Sequence, residues 1–265
     1  MKPLRTDRML VEKDAAIGWI VFNHPARHNA VSLAMWQALN EIVDELAGDA
    51  EVRVVVVRGA GDQAFVSGAD ISEFAEKRSN AALTRDYDAS SGRAMAALRE
   101  LNKPTIAMIR GHCFGGGLAL ALCCDLRIAA DDAGFAIPAA RLGIGYPFEG
   151  VRKLVDVVGP SFAREIFYTA RRFTAQEALA MGLVNRVTSA DALESCVREY
   201  ASTIAANAPL TIASIKTLVA QALEDESGRD PQLCAEVVER CFASADYVEG
   251  RQAFMEKRKP RFSGR

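Results

Sequence analysis

No apolar run in this chain approaches the roughly 20 residues needed to cross a bilayer, so no membrane partner is expected. Excess charge is also absent: 32 basic against 34 acidic residues leave a net charge of −2. That balance removes the attraction a nucleic-acid binder relies on, and only Glu256–Arg261 is locally basic. Histidine is scarce, with three copies, and no Cys/His cluster has zinc-like spacing, so no metal site is expected. The six cysteines lack the paired spacing of a disulfide framework, and Cys123 and Cys124 are adjacent. They read as small buried hydrophobes in a reducing compartment. The N-terminus has no apolar core of a secretory signal, and a cytoplasmic location is the expectation. Dinucleotide and P-loop fingerprints are missing as well; Gly143-Ile144-Gly145 lacks the third glycine.

What remains is a 265-residue chain, half apolar and a quarter charged, long enough for a large core. Ile17–Asn23, Val52–Arg58, Pro104–Ile109, Leu126–Ala129 and Phe135–Ile137 read as strands. Between them, Ser32 can cap a helix running to about Ala47, with Met35, Leu39, Ile42, Val43 and Leu46 on one stripe. Ala81–Leu101 has helical spacing, and Leu118–Cys123, apolar on every side, predicts a buried helix. After Gly159 the pattern is helical, with a capping-box signature at Thr174–Glu177 and a stop at Gly182. Strands interleaved with helices, then a helical tail, imply an α/β body over residues 1–195 and a helical region over 196–265.

Two segments carry the chemistry. Phe65-Val66-Ser67-Gly68-Ala69-Asp70 and Gly111-His112-Cys113-Phe114-Gly115-Gly116-Gly117 each place glycine just after a predicted strand. There the backbone can approach a ligand and aim N–H groups at it. The apolar helix that follows Gly117 brings free N–H groups and a partial positive charge to the same place. Together they suggest main-chain donors facing a developing negative charge; the alternative is a tight turn that only packs a strand on a helix.

Five segments in order are similar to motifs of the crotonase superfamily, which includes enoyl-CoA hydratases and isomerases. They are Asn23-His24-Pro25-Ala26-Arg27-His28-Asn29-Ala30, Ala64–Phe74, Ile106–Asp125, Phe173–Val187 and Phe254–Gly264. The resemblance implies a spiral of repeated β-β-α units with a C-terminal helical region used in trimerisation, as a homotrimer or dimer of trimers. It implies an acyl-CoA thioester as substrate and no separate cofactor. The thioester oxygen would lie between the N–H groups of Ala69 and Gly116. CoA would run along Ala26, Arg27 and His28 and the segment Ser67, Asp70 and Ile71. Phe254 and Lys257 match a C-terminal pair that in relatives reaches CoA in a neighbouring subunit, the lysine meeting a phosphate; Lys257 read without the family is a solvated tail charge.

The pattern breaks where protons must move. Hydrating relatives carry one glutamate two residues after Gly-Gly-Gly and another after a proline; here these positions are Ala119 and Ala139. Glu149 and Tyr146, in the following loop, are the candidate replacements. Glu149 could equally complement a helix dipole, and Tyr146 matches a tyrosine of methylmalonyl-CoA decarboxylase relatives. Asp70 could also be structural, accepting backbone N–H bonds. His112 reads as a packed side chain, Cys113 has no activating neighbour, and Arg141 suits a surface ion pair with Glu149. Three readings follow: an enoyl-CoA lyase or isomerase, an acyl-CoA decarboxylase, and an acyl-CoA binder without turnover.

Overall fold

The computed structural model describes residues 4–70 and 81–265, with the backbone alone for 81–85. An antiparallel hairpin, β1 (Met9–Asp14) and β2 (Ile17–Phe22), opens the chain. Ser32 then caps α1 (Leu33–Gly48), its side chain accepting from the Met35 N–H, and the whole predicted stripe of α1 is buried. Three successive turns follow the same plan. Each gives one strand to a six-stranded sheet, one to a four-stranded sheet, then a helix. The first is β3 (Val54–Gly59), β4 (Ala64–Val66) and α2 (Ala81–Glu100). The second is β5 (Thr105–Ile109), β6 (His112–Phe114) and α3 (Gly116–Leu122). The third is β7 (Leu126–Ala130), β8 (Gly134–Ala136) and α4 (Ala139–Leu142), continuing into α5 (Phe148–Thr169). Short β9 (Phe173–Thr174) and β10 (Arg186–Thr188) close the sheets around α6 (Ala175–Ala180).

The sheet orders are β1-β2-β3-β5-β7-β10 and β4-β6-β8-β9, with the strands from successive turns parallel. A coil of β-β-α turns stacks this way because the β-branched runs are buried on both faces, as in Val54–Val57. Two cores result. One lies between the sheets and α1, α2 and α3; the other lies under the outer face of the large sheet, where Ile17, Trp19, Val54, Val56 and Ile128 meet Leu193, Val197 and Ala201. Those last three belong to α7 (Leu193–Ala205). The division expected between residues 195 and 196 therefore falls inside one continuous helix, and packing against the body runs on to α7. The remaining helices are α8 (Pro209–Ala222), α9 (Pro231–Phe242) and α10 (Ala245–Met255). Helix α5 runs from Phe148 through a break at Gly159, whose φ of 73° lets Pro160 follow without clashing with the preceding turn, and the helical segment expected after Gly159 is the part beyond that break.

Candidate functional site

The site forms where three loops meet at one end of the small sheet. Asn29, fully buried and in the left-handed region at φ 55°, ties two of them together. Its Oδ1 accepts from the His24 N–H at 2.9 Å, and its Nδ2 donates to the carbonyls of Ala60 and Ala64 at 3.0 and 2.8 Å. The turn Pro25–Arg27 is thereby fixed beside β4, and the Ser67 N–H donates to the His28 carbonyl at 3.1 Å. Ala26, Arg27 and His28, all exposed, thus lie next to Ser67. No role was expected of Asn29; its signal in the sequence is an asparagine directly before the turn back to an apolar segment, a residue type that tolerates φ > 0.

The orientation of the Ala69 amide follows from pairing. Val31 and Ala69 form a parallel bridge in which the Val31 N–H donates to Gly68 and the Asp70 N–H donates to Val31, at 2.8 and 3.0 Å. In such a bridge the N–H of the central residue points to the opposite side. There lies the start of α3. Gly68, at φ 117°, turns the chain toward it: a Cβ on Gly68 would be 3.4 Å from the Phe114 carbonyl oxygen and 3.8 Å from the Gly116 nitrogen. Conversely, a Cβ on Gly116 would lie 3.7 Å from the Ala69 nitrogen. Gly117 allows this approach, because any Cβ there would sit 2.0 Å from the Val66 carbonyl oxygen. The Gly116 N–H belongs to the first turn of α3, which no intrahelical carbonyl serves. The structure therefore brings the amides of Ala69 and Gly116 together, both without a hydrogen-bond acceptor among the described residues.

Asp70 is 7% exposed, set directly beside this pair by its own amide bond to Val31. Ile71 lies outside the described residues. His112 and Phe114 stack at 4.7 Å on one face of β6, and the His28 ring meets His112 edge-on at 5.5 Å. Burial, Arg172 and His28 hold the His112 imidazole below its usual pKa, so it is neutral at pH 7. Buried Cys113 and Cys124 have their thiols pushed far up by desolvation, which makes them poor nucleophiles.

Ala119 is half-buried one turn along α3 and Ala139 is 9% exposed at the start of α4. The Cys123 thiol donates to the Ala119 carbonyl at 3.3 Å. Tyr146 packs edge-to-face on Phe167 at 4.9 Å and lies flat over Gly150, where a Cβ would be 2.6 Å from the ring. Desolvation, and then Cys123, push the Tyr146 hydroxyl up to about 12. It is thus protonated at neutral pH, and no hydrogen bond to it is found among the described residues. Glu149 stands in the first turn of α5, exposed, and Arg141 is exposed without an ion pair to it. Phe254 lies in the last turn of α10 and Lys257 just past it, and α10 packs on α9 and on the C-terminal tail. Among the described residues no group of His, Cys, Asp and Glu could hold a metal ion, and no single helix is long and apolar enough to cross a membrane.

Comparison with known proteins agrees with this architecture. The family model for enoyl-CoA hydratase/isomerase matches residues 12–265. The short-chain-enoyl-CoA hydratase of Clostridium acetobutylicum is 32% identical over 97% of both chains. The carnitinyl-CoA dehydratase of Proteus mirabilis is 37% identical over 93% of this chain and 94% of its own. A crystal structure of an enoyl-CoA hydratase/carnithine racemase from Magnetospirillum magneticum superposes with a TM-score of 0.93 at 36% identity, over 98% of this chain and 97% of that one. The enoyl-CoA hydratase of Bacillus anthracis gives 0.92 at 33%, over 98% and 100%. With its β-β-α coil, its paired amides and these relatives, the chain belongs to the enoyl-CoA hydratase/isomerase family of the crotonase superfamily.

Proposed function

We propose that the protein acts on an acyl-CoA thioester by stabilising its enolate between the amides of Ala69 and Gly116, within the hydratase/isomerase class of its relatives. The observation that carries this is the pair of acceptor-free N–H groups converging at the start of α3. Two backbone donors cost no reorganisation when the carbonyl oxygen gains charge, and losing one such donor typically costs about 100- to 1000-fold. Ala26, Arg27, His28, Ser67, Asp70 and Ile71 would line the path of CoA, with Phe254 and Lys257 reaching it from α10. No cofactor beyond the CoA of the substrate is needed for this chemistry. We assign assembly as a homotrimer or a dimer of trimers to the apolar face left open on α8, α9 and α10, and a cytoplasmic location to the protein.

Tyr146 is the candidate proton donor we favour: its half-buried hydroxyl, pushed up to about 12 by desolvation, is protonated at neutral pH, whereas Glu149 is exposed and complements the dipole of α5. Such a donor, with alanine at residues 119 and 139, favours a second reading, decarboxylation. There the bond from the α-carbon to a carboxylate breaks, its electron pair moves into the thioester to give the enolate, and CO2 leaves. The enolate carbon then takes the Tyr146 proton, and solvent reprotonates the phenolate. No general base is required at any step. The deciding experiment incubates the enzyme in D2O with saturated, enoyl and malonyl-type CoA thioesters and follows mass and CO2. α-Deuteration of a saturated ester, or water addition to an enoyl ester, supports the hydratase/isomerase class. CO2 release supports the second reading, and binding with neither leaves a CoA binder without turnover.

A further inference from the structure

Two buried polar side chains outside the site tie back to it. The Trp36 indole, 2% exposed on α1, donates its N–H to the Tyr87 hydroxyl on α2 at 2.9 Å. Tyr87, 4% exposed, passes the bond on: its hydroxyl donates to the Val31 carbonyl at 3.1 Å. Chemistry fixes the order of this relay. An indole N–H can only donate and a carbonyl can only accept, so the phenol between them has one orientation. All three residues belong to the core between the sheets and the helices, at the face where α1 packs on α2. Phenylalanine would fill the same space without burying a polar atom, so packing alone does not call for the hydroxyl.

Val31 is the residue that aims the Ala69 amide. The carbonyl and N–H of a trans peptide point in opposite directions. The peptide joining Gly68 to Ala69 has its carbonyl held by the Val31 N–H at 2.8 Å, so its own N–H, the Ala69 donor, faces the other way, toward Gly116. The next peptide is held too, its Asp70 N–H donating to the Val31 carbonyl at 3.0 Å. That carbonyl therefore takes two donors, Asp70 and Tyr87, one for each lone pair. On the other side of Val31, Ser32 caps α1, and the backbone N–H of Trp36 donates to the Ser32 carbonyl at 3.1 Å. The relay closes a loop: it leaves α1 through the Trp36 side chain, crosses to α2 at Tyr87 and returns to the residue just before the cap.

We propose that Tyr87, oriented by Trp36, is a positioning residue for the Ala69 donor. It holds Val31, and through Val31 the peptide whose N–H polarises the thioester carbonyl. This rests on the acyl-CoA reading above. Both side chains are buried and act only through Val31. Without the hydroxyl, the Val31 carbonyl keeps one donor and the Trp36 indole loses its acceptor, a costly state for buried groups that a shift of the Val31 segment relieves. A displacement of about 1 Å is enough to misalign a catalytic group.

The experiment uses the full chain and butyryl-CoA isotopically labelled at the thioester carbonyl carbon. Infrared difference spectra read the carbonyl stretch, which falls in frequency as the two amides polarise it. Calorimetry reads the Kd of CoA without an acyl group, which lacks that carbonyl. Wild type is expected to lower the stretch on binding. Tyr87→Phe should lose about half of that shift or more, the weight of one donor of two, and keep the wild-type Kd for CoA. Trp36→Phe, which leaves the hydroxyl but not its orientation, should lose less. The double variant should match Tyr87→Phe, because Trp36 acts through the hydroxyl. If Tyr87→Phe does not fold, Trp36→Phe carries the test, with a partial loss of shift at unchanged Kd. A full shift in the folded variants, losses that add in the double variant, or a Kd for CoA that weakens in step with the shift overturns the proposal and leaves the acyl-CoA reading standing. A wild type that binds butyryl-CoA without lowering the stretch, or binds no CoA at all, overturns both.

Discussion

At the scale of single residues, the site separates the stabilisation of charge from the movement of protons. The first is carried by amides and cannot be removed by trimming side chains; it can be displaced. Gly117→Ala would push a methyl group against the Val66 carbonyl, 2.0 Å away. It should cost about 1–3 kcal/mol of stability as the start of α3 shifts, and turnover should fall far more than the stability loss explains. Thermal unfolding and rate measured on the same sample check this. In the proposed reaction, proton transfer rests on Tyr146. Tyr146→Phe keeps the ring on Phe167 and Gly150 and removes only the hydroxyl, so unfolding should barely change. Turnover should fall by about 100-fold or more, the usual contribution of a general acid. The sign of the pH dependence follows from burial: the folded hydroxyl titrates near 12, above the ordinary tyrosine value, so the donor stays protonated across the neutral range. The rate should show no basic limb from Tyr146 between pH 7 and 9. A limb there that disappears in the Phe variant would count against burial as the controlling factor. Ala69, Gly116 and the two alanines were legible as motif positions, but the direction of the Ala69 amide was not. It depends on the bridge to Val31, a long-range pairing that no local pattern encodes.

At the scale of elements, sequence periodicity resolved the strands and α1 well, because β-branched runs and a buried stripe are written locally. Ser32, Thr174 and Glu177 cap their helices as expected, the last two as a reciprocal box. One element was misjudged for a physical reason, whereas the helical segment expected after Gly159 does lie beyond the break in α5. Helix α7 was split by the expected boundary because its amphipathic pattern matches that of the tail helices; only its contact with Trp19, Val54 and Ile128 assigns it to the body. Helices α3 and α4 also place Ala119 and Ala139 where burial alone would tune an acid. A glutamate at either site would have its carboxyl desolvated and its pKa raised, the property a general acid at neutral pH needs. The double variant Ala119→Glu/Ala139→Glu should therefore gain hydration of a short enoyl-CoA by about 100-fold or more over the parent, followed as loss of the conjugated thioester absorbance. No gain in a folded double variant that still binds CoA would show that the rest of the pocket, and not the two missing acids, sets the reaction.

For the molecule as a whole, the described surface is unevenly finished. Helices α8, α9 and α10 leave Ile215, Val219, Phe242, Val248, Phe254 and Met255 more than half exposed, and in the body Leu142, Phe148 and Tyr168 are also more than half exposed. Singly exposed apolar residues are ordinary, but several on three helices that follow one another would suit the proposed assembly with further copies of the chain. The polar ties agree: Lys216 on α8 bridges to Asp125 at 2.9 Å, just past α3, and Arg152 on α5 reaches Glu224 at 2.9 Å. The helical region is therefore braced against the elements that carry Gly116 and Tyr146, and assembly through its open face would stiffen both. Each large side chain taken out of water contributes about 1.5–3 kcal/mol, so replacing two with aspartate should weaken association by at least 100-fold. Sedimentation should show the wild type at a multiple of 28.6 kDa, three or six copies. Val219→Asp/Phe242→Asp should move it toward one copy while the circular dichroism of the helices is kept. A wild type that sediments as one chain at micromolar concentration would sink the assembly, and the exposed face would then need another partner.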